Sequence, residues 1–147
     1  MNETETSLTN GEIVPKDDVR IAAMGDIDEL VAVLGVLRAR FGEQSLLPLQ
    51  KTLMLICSDV TMTGESTLCR SVRLRLAELK AKTEELGRKQ TAFAWQYPGD
   101  DEREAFFHLA RTVCRRCERS LVVASAAPMV IAYLNNLSLY LYYRAKT

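Results

Sequence analysis

Two arginines four residues apart, Arg111 and Arg115, are the side chains best suited to chemistry in this chain of 147 residues. On a helix that spacing stacks them on one face, and Glu118 with Arg119 continues the stripe. Guanidinium groups so arranged can grip an anion such as a phosphate chain through paired hydrogen bonds. The plainer alternative is a solvated charged face, or one that simply pairs with an acidic helix. Cys114 and Cys117 form a Cys-x-x-Cys pair beside them, half of a zinc site with no second pair or spaced histidines to complete it. His108 is the only histidine, which excludes zincin motifs and two-histidine iron sites. Cys57, Cys69, Cys114 and Cys117 read as reduced thiols, the last two as small apolar residues on a helix face, and no metal site is expected.

The charge balance conceals where such a stripe would act. Lys plus Arg number 19 and Asp plus Glu number 19, so the formal net charge is zero, a poor balance for a nucleic-acid binder relying on overall positive charge. Residues 1–30 nevertheless carry a net −6, and residues 111–147 a net +5. Met1 to Gly11 has no basic residue and no apolar core, which argues against a signal peptide or mitochondrial presequence. The longest apolar stretch, Leu121 to Leu134, is interrupted by Ser125 and Pro128 and is too short to cross a bilayer. A cytoplasmic protein with no membrane and no nucleic-acid partner is the expectation.

Five helices must position these residues. Met24, Ile27, Leu30, Val31, Leu34, Leu37 and Phe41 recur at helical steps, predicting a first helix from about Lys16 to Phe41 that Gly42 caps. A second begins after Ser45 with Leu46, Leu49, Leu53, Ile56 and Val60 inward and ends before Gly64. A third spans about Ser66 to Leu86, with Val72, Leu76, Leu79 and Leu86 on one side, a solvated charged face on the other, and Gly87 as its stop. The fourth begins near Gly99 or Asp100 and turns Phe106, Ala110, Val113, Cys117 and Leu121 inward. The fifth begins near Pro128 with Val130, Leu134, Leu137 and Leu141. No β-hairpin signal or repeat is evident, so residues 1–147 are expected to form one all-α domain, an antiparallel helical bundle. Thr91 to Gly99 stands apart as an aromatic loop that holds the only tryptophan and ends in a Pro-Gly turn.

Three separated segments carry a resemblance. Val14–Leu30 (VPKDDVRIAAMGDIDEL), His108–Arg119 (HLARTVCRRCER) and Tyr133–Ser138 (YLNNLS) resemble, in order and spacing, the propanediol-utilisation type of ATP:cob(I)alamin adenosyltransferase. The middle segment is nearly a family signature. Thr6-Ser-Leu8, Leu49-Gln50 and Pro98-Gly99 extend the similarity over most of the chain. The resemblance implies a five-helix bundle, a homotrimer with sites between subunits, and substrates ATP, with Mg, and a reduced cobalamin. It also implies the reaction: a Co(I) corrinoid attacks the 5′ carbon of ATP, giving adenosylcobalamin and triphosphate.

The same resemblance implies roles for single residues. Arg111 would pair with Asp28 across a subunit boundary, and Arg115 would contact the triphosphate, with Lys16 as a further phosphate ligand. Glu118 would belong to the ATP site and Asn135 would meet the nucleoside. Family members pack a phenylalanine under the corrin three residues before the Pro-Gly turn; Trp95 stands there, with Phe93 and Tyr97 as neighbours able to substitute.

Some positions depart from the family pattern. The glycines and aspartate of its Thr-Gly-Asp-x-Gly-x-Thr phosphate loop have no counterpart in Met1–Glu5, where Glu3 and Glu5 would repel a polyphosphate. Val31 and Asp100 replace a polar residue and a glycine, and Asn136 and Leu139 replace an arginine and an aspartate. Two readings follow: a divergent active adenosyltransferase, or a non-catalytic relative that binds corrinoid or nucleotide as a binding or regulatory module.

Overall fold

The computed structural model describes residues 1–147. A short hairpin, β1 (Glu5–Ser7) and β2 (Ile13–Pro15), precedes five helices: α1 (Val19–Phe41), α2 (Leu47–Ser58), α3 (Thr67–Gly87), α4 (Glu102–Val123) and α5 (Pro128–Ala145). A 3-10 turn, Gln44–Leu46, leads into α2. The all-α expectation holds for the body of the protein, whereas the hairpin corrects the expectation of no β structure.

Its ladder is only three residues long and pairs Glu5, Thr6 and Ser7 with Pro15, Val14 and Ile13, too short and too polar for an alternating pattern to register. The turn supplies what the strands lack. Gly11 adopts φ +88°, a conformation that favours glycine, and the Glu12 amide donates to Asn10 Oδ1 at 2.9 Å. Val14 alone is buried beneath it.

Helix boundaries follow local capping chemistry. Asp18 caps α1 by accepting from the Arg20 amide, so the helix starts at Val19 rather than Lys16. Hydrogen bonds from the Arg20 guanidinium, then from its amide, hold the Asp18 carboxyl down at about 2. Arg20 also reaches Glu12 at 3.2 Å and ties the hairpin to α1. Gly42 ends α1 in the left-handed region at φ 68°. Asp101 accepts from the Glu104 amide and starts α4 at Glu102, two to three residues later than expected. α2 stops at Ser58, although Val60 and Met62 remain buried in the turn beyond it. Ser66 Oγ accepts from the Cys69 amide at 3.0 Å. Ser66→Ala is expected to cost about 1 kcal/mol and to lower Tm by about 2–5 °C, read by thermal melting followed by circular dichroism.

The helices close a ring in the order α1, α4, α5, α3, α2. Arg116 of α4 meets Asp26 of α1 while Glu102 meets Arg40, so α1 and α4 run antiparallel. Short connections make α1–α2 and α4–α5 antiparallel as well. An odd ring must contain a parallel pair, and here it is α3 with α5. Thr83 bonds Asn136 at 3.0 Å, and Gly87, four residues on, packs against Tyr143.

The ring encloses a core of leucine, isoleucine and valine. Leu30, Leu34 and Leu37 from α1, Leu53 and Ile56 from α2, Leu121 from α4, and Leu134, Leu137 and Leu141 from α5 are fully buried. Each such side chain removed from water contributes about 1.5–3 kcal/mol. On α4 the buried face includes Phe107, His108 and Cys114, while Phe106, expected inward, is half-buried and tilts against Phe41. Cys114 and Cys117 stitch helices together: their thiols donate to the Leu134 carbonyl at 3.2 Å and the Asp26 carbonyl at 2.9 Å. Burial pushes Cys114 well up and Cys117 to about 12, so both are neutral thiols.

Candidate active site

The α4 sequence places Glu104, His108, Arg111 and Arg115 at steps of four, three and four, one continuous helix face. Along α5, Asn135, Ser138, Leu139 and Tyr142 share a similar spacing. The two faces diverge toward solvent and form the walls of a cleft of about 530 Å³. Phe93, Ala94, Trp95 and Gln96 of the aromatic loop complete its rim. Pro98 and Gly99, the latter at φ +139°, turn that loop into α4.

The loop is unusual for what it leaves in water. Phe93, Trp95 and Tyr97 are 73%, 79% and 83% exposed, and the first two rings meet edge to face with centroids 5.5 Å apart. Three aromatic side chains within five residues, all exposed, form an apolar surface that a large flat ligand or another chain would cover favourably.

Charge is concentrated opposite that surface. Arg111 is half-buried and pairs with no carboxylate of its own chain; burial first, then the neighbouring Arg115 charge, lowers its pKa. Two adjacent cations of which one is partly desolvated favour an incoming anion. Arg111 Nε donates to Nδ1 of His108 at 3.2 Å, which leaves the rest of its fork free. Asn136, standing where the resemblance has an arginine, accepts from Thr83, and Leu139 lies on the cleft wall.

The structure thus gathers five of the eight residues singled out from the sequence, Arg111, Arg115, Asn135, Trp95 and Phe93, around one cleft. Asp28, Lys16 and Glu118 are not among its lining residues. Asp28 is exposed on α1 toward α2, where its charge raises the Cys57 thiol after burial has done so. Lys16 is exposed at the exit of β2, its amide bonded to the Thr4 carbonyl at 2.8 Å. Glu118 is half-buried two turns beyond Arg111, beside Cys114. The idea that α4 pairs with the acidic first helix holds for a different arginine: Arg116 binds Asp26 at 2.6 Å and also Glu29.

Sequence reasoning missed His108 and Tyr142 as cleft residues. The available signal was spacing, since His108 lies three residues before Arg111 and Tyr142 seven after Asn135. Among buried polar side-chain atoms, only His108 Nε2 and Tyr142 Oη lack a hydrogen-bond partner.

Comparison with known proteins identifies the class to which this bundle and cleft belong. The family model described as Cobalamin adenosyltransferase matches residues 2–147. A cobalamin adenosyltransferase of Cupriavidus metallidurans is 32% identical over 142 residues, 90% of this chain and 76% of that protein. A corrinoid adenosyltransferase of Citrobacter freundii is 29% identical over 125 residues, 80% of this chain and 71% of that protein. Among solved structures, a variant PduO-type ATP:corrinoid adenosyltransferase from Lactobacillus reuteri, complexed with cobalamin and ATP, superposes with a TM-score of 0.84 at 23% identity, covering 97% of this chain and 84% of that one. That likeness is one of fold. The chain belongs to the cobalamin adenosyltransferase family.

Proposed function

We propose that this protein transfers the 5′-deoxyadenosyl group of ATP to a reduced Co(I) corrinoid. One observation carries the reading: the cleft sets two unneutralised arginines of α4 opposite an exposed aromatic surface. A polyphosphate needs the first and an apolar macrocycle the second.

In this reaction the Co(I) electron pair attacks C5′, the C5′–oxygen bond breaks, and triphosphate leaves with the bonding electrons. The corrinoid supplies the nucleophile, so the protein's task is to align two substrates and stabilise the leaving group. Arg115 contacts the triphosphate, and Lys16 is a second phosphate ligand. Asn135 and Glu118 belong to the nucleotide site. Trp95 and Phe93 pack against the corrin. Arg111 pairs with Asp28 of the partner subunit, so a homotrimer builds each site between subunits. The position of Lys16 and Asp28 away from the cleft of their own chain supports that shared arrangement. Mg²⁺ would enter with ATP, where phosphate oxygens and water would be its ordinary ligands. No helix is long and apolar enough to cross a membrane; a cytoplasmic site of action is part of the same proposal.

Purified protein given ATP and cobalamin under strong reduction is expected to form adenosylcobalamin, followed by its absorbance change, and to sediment as a trimer. Corrinoid binding without conversion would establish the non-catalytic reading, and a monomer by light scattering would exclude the shared site.

A further inference from the structure

His108 is the chain's one histidine and is 2% exposed, yet the proposed reaction gives it no task. The displacement at C5′ transfers no proton, so no acid or base is needed there. The hydrogen bonding of the ring points to another role. Nδ1 accepts from Arg111 Nε at 3.2 Å, whereas Nε2 is buried without a partner, its nearest carboxylate oxygen being Glu104 Oε1 at 3.8 Å. A nitrogen that accepts must keep its lone pair, so the neutral ring carries its proton on Nε2. Glu104 stands on that side and favours the same tautomer. Two independent neighbours, a donor and a carboxylate, therefore select one state of the ring.

We propose that His108 is a positioning residue: as a neutral imidazole with the Glu104 carboxylate on its Nε2 side, it holds Arg111 through Nε and leaves the two terminal nitrogens of that guanidinium for the cleft. The inference rests on the cleft being the substrate site and adds to it the means by which Arg111 is aimed. A free arginine side chain samples many rotamers, and an anion or partner carboxylate would have to order it on binding. One bond at Nε fixes the plane of the fork in advance. The surrounding charges preserve the neutral ring. Burial, then Arg111, lowers the imidazole pKa from its ordinary 6.5; Lys146, just past the end of α5, acts the same way and Glu104 opposes them, while Tyr142 of α5 meets the ring edge to face at 6.2 Å. Protonation would place an N–H against the Arg111 N–H and a second cation beside it. The arrangement is therefore intact above the imidazole pKa and lost as pH falls through it.

Because the chain has a single imidazole, the test can be read directly in the full protein labelled with ¹⁵N-histidine. The expected spectrum at neutral pH is that of the Nε2–H tautomer, with a pKa below 6.5 that rises in Arg111→Met. An Nδ1–H tautomer, or a pKa indifferent to Arg111→Met, would overturn the proposal. In turnover assays His108→Phe keeps a ring in the core but removes the acceptor, and it should lower kcat/KM about 10–100-fold, the equivalent of one hydrogen bond to a charged group. His108→Asn puts Oδ1 where Nδ1 stood; it should recover most of the loss and lack the acid limb of the wild-type pH profile. Equal impairment of the two variants, both folded by circular dichroism, or full activity of His108→Phe, would also overturn it. If the wild-type protein makes no adenosylcobalamin, the proposed reaction fails, while the spectra still decide the state and partner of the imidazole.

Discussion

Replacing Arg115 with alanine is expected to lower kcat by about 10²–10³-fold, the cost of removing one preorganised donor to developing negative charge. Negative charge grows on the triphosphate as the C5′–oxygen bond breaks, so a cation there stabilises the transition state more than bound ATP. Arg115 is exposed in the isolated chain, where an ion pair would contribute little. A bound corrinoid and an adjoining subunit would exclude water, and at an effective dielectric constant of 20 two unit charges 4 Å apart interact by about 4 kcal/mol. That magnitude accommodates the predicted loss. Arg115→Lys keeps the charge but loses the two-pronged geometry, and it should recover only part of the rate. Single-turnover formation of adenosylcobalamin, with ATP affinity measured by calorimetry, separates the possibilities. A raised KM with unchanged kcat would mean that Arg115 holds ATP and its transition state equally.

The largest expected effect on stability lies at the far end of the same helix. Glu43, in the turn after α1, binds both Arg103 at the start of α4 and Arg144 near the end of α5. The two guanidinium carbons lie 4.6 and 5.3 Å from the Phe107 ring centroid. Arg144 also donates to Ser45 Oγ at 3.0 Å and Tyr140 Oη at 2.9 Å. Glu43→Ala would leave two neighbouring cations without their shared anion in a site where Glu43 and Arg144 are 12% and 16% exposed. Breaking a fully buried pair costs about 3–5 kcal/mol. The remaining solvent contact reduces this to about 2–4 kcal/mol, or a fall in Tm of about 6–15 °C. Arg103→Met combined with Glu43→Ala should cost less than the two single changes added together, because it removes one of the orphaned cations. Additive losses in chemical denaturation would show that the three side chains do not act as a unit.

The helical body was legible because its signals are local and repeated. Three- and four-residue apolar spacing located α1 to α5, and Gly42, Ser66 and Pro128 marked boundaries by their own backbone chemistry. The hairpin was not legible, since Glu5–Ser7 has no apolar alternation and owes its pairing to the Asn10–Gly11 turn. The start of α1 was set by the side chain of Asp18, whose one hydrogen bond to the Arg20 amide begins the helix three residues beyond the expected Lys16.

For the site, the sequence by itself determined that Arg111 and Arg115 share a helix face and that the aromatic loop is exceptional, because a helix and a Pro-Gly turn are set by neighbours in the chain. It also carried the family wording of His108–Arg119. Only the tertiary structure decided which charged groups meet. Arg115 and Arg116 are adjacent in sequence but about 100° apart around α4, so packing against α1 sends Arg116 to Asp26 and Glu29 and leaves Arg115 in the cleft. Packing against α5 sets Tyr142 against the buried His108 ring, whereas the contact of His108 with Arg111, three residues along the same helix, follows from helix geometry. Net charge is a sum over the chain, whereas an anion-binding cleft depends on where desolvation and distance leave cations without partners, and that is fixed by contacts between residues distant in sequence.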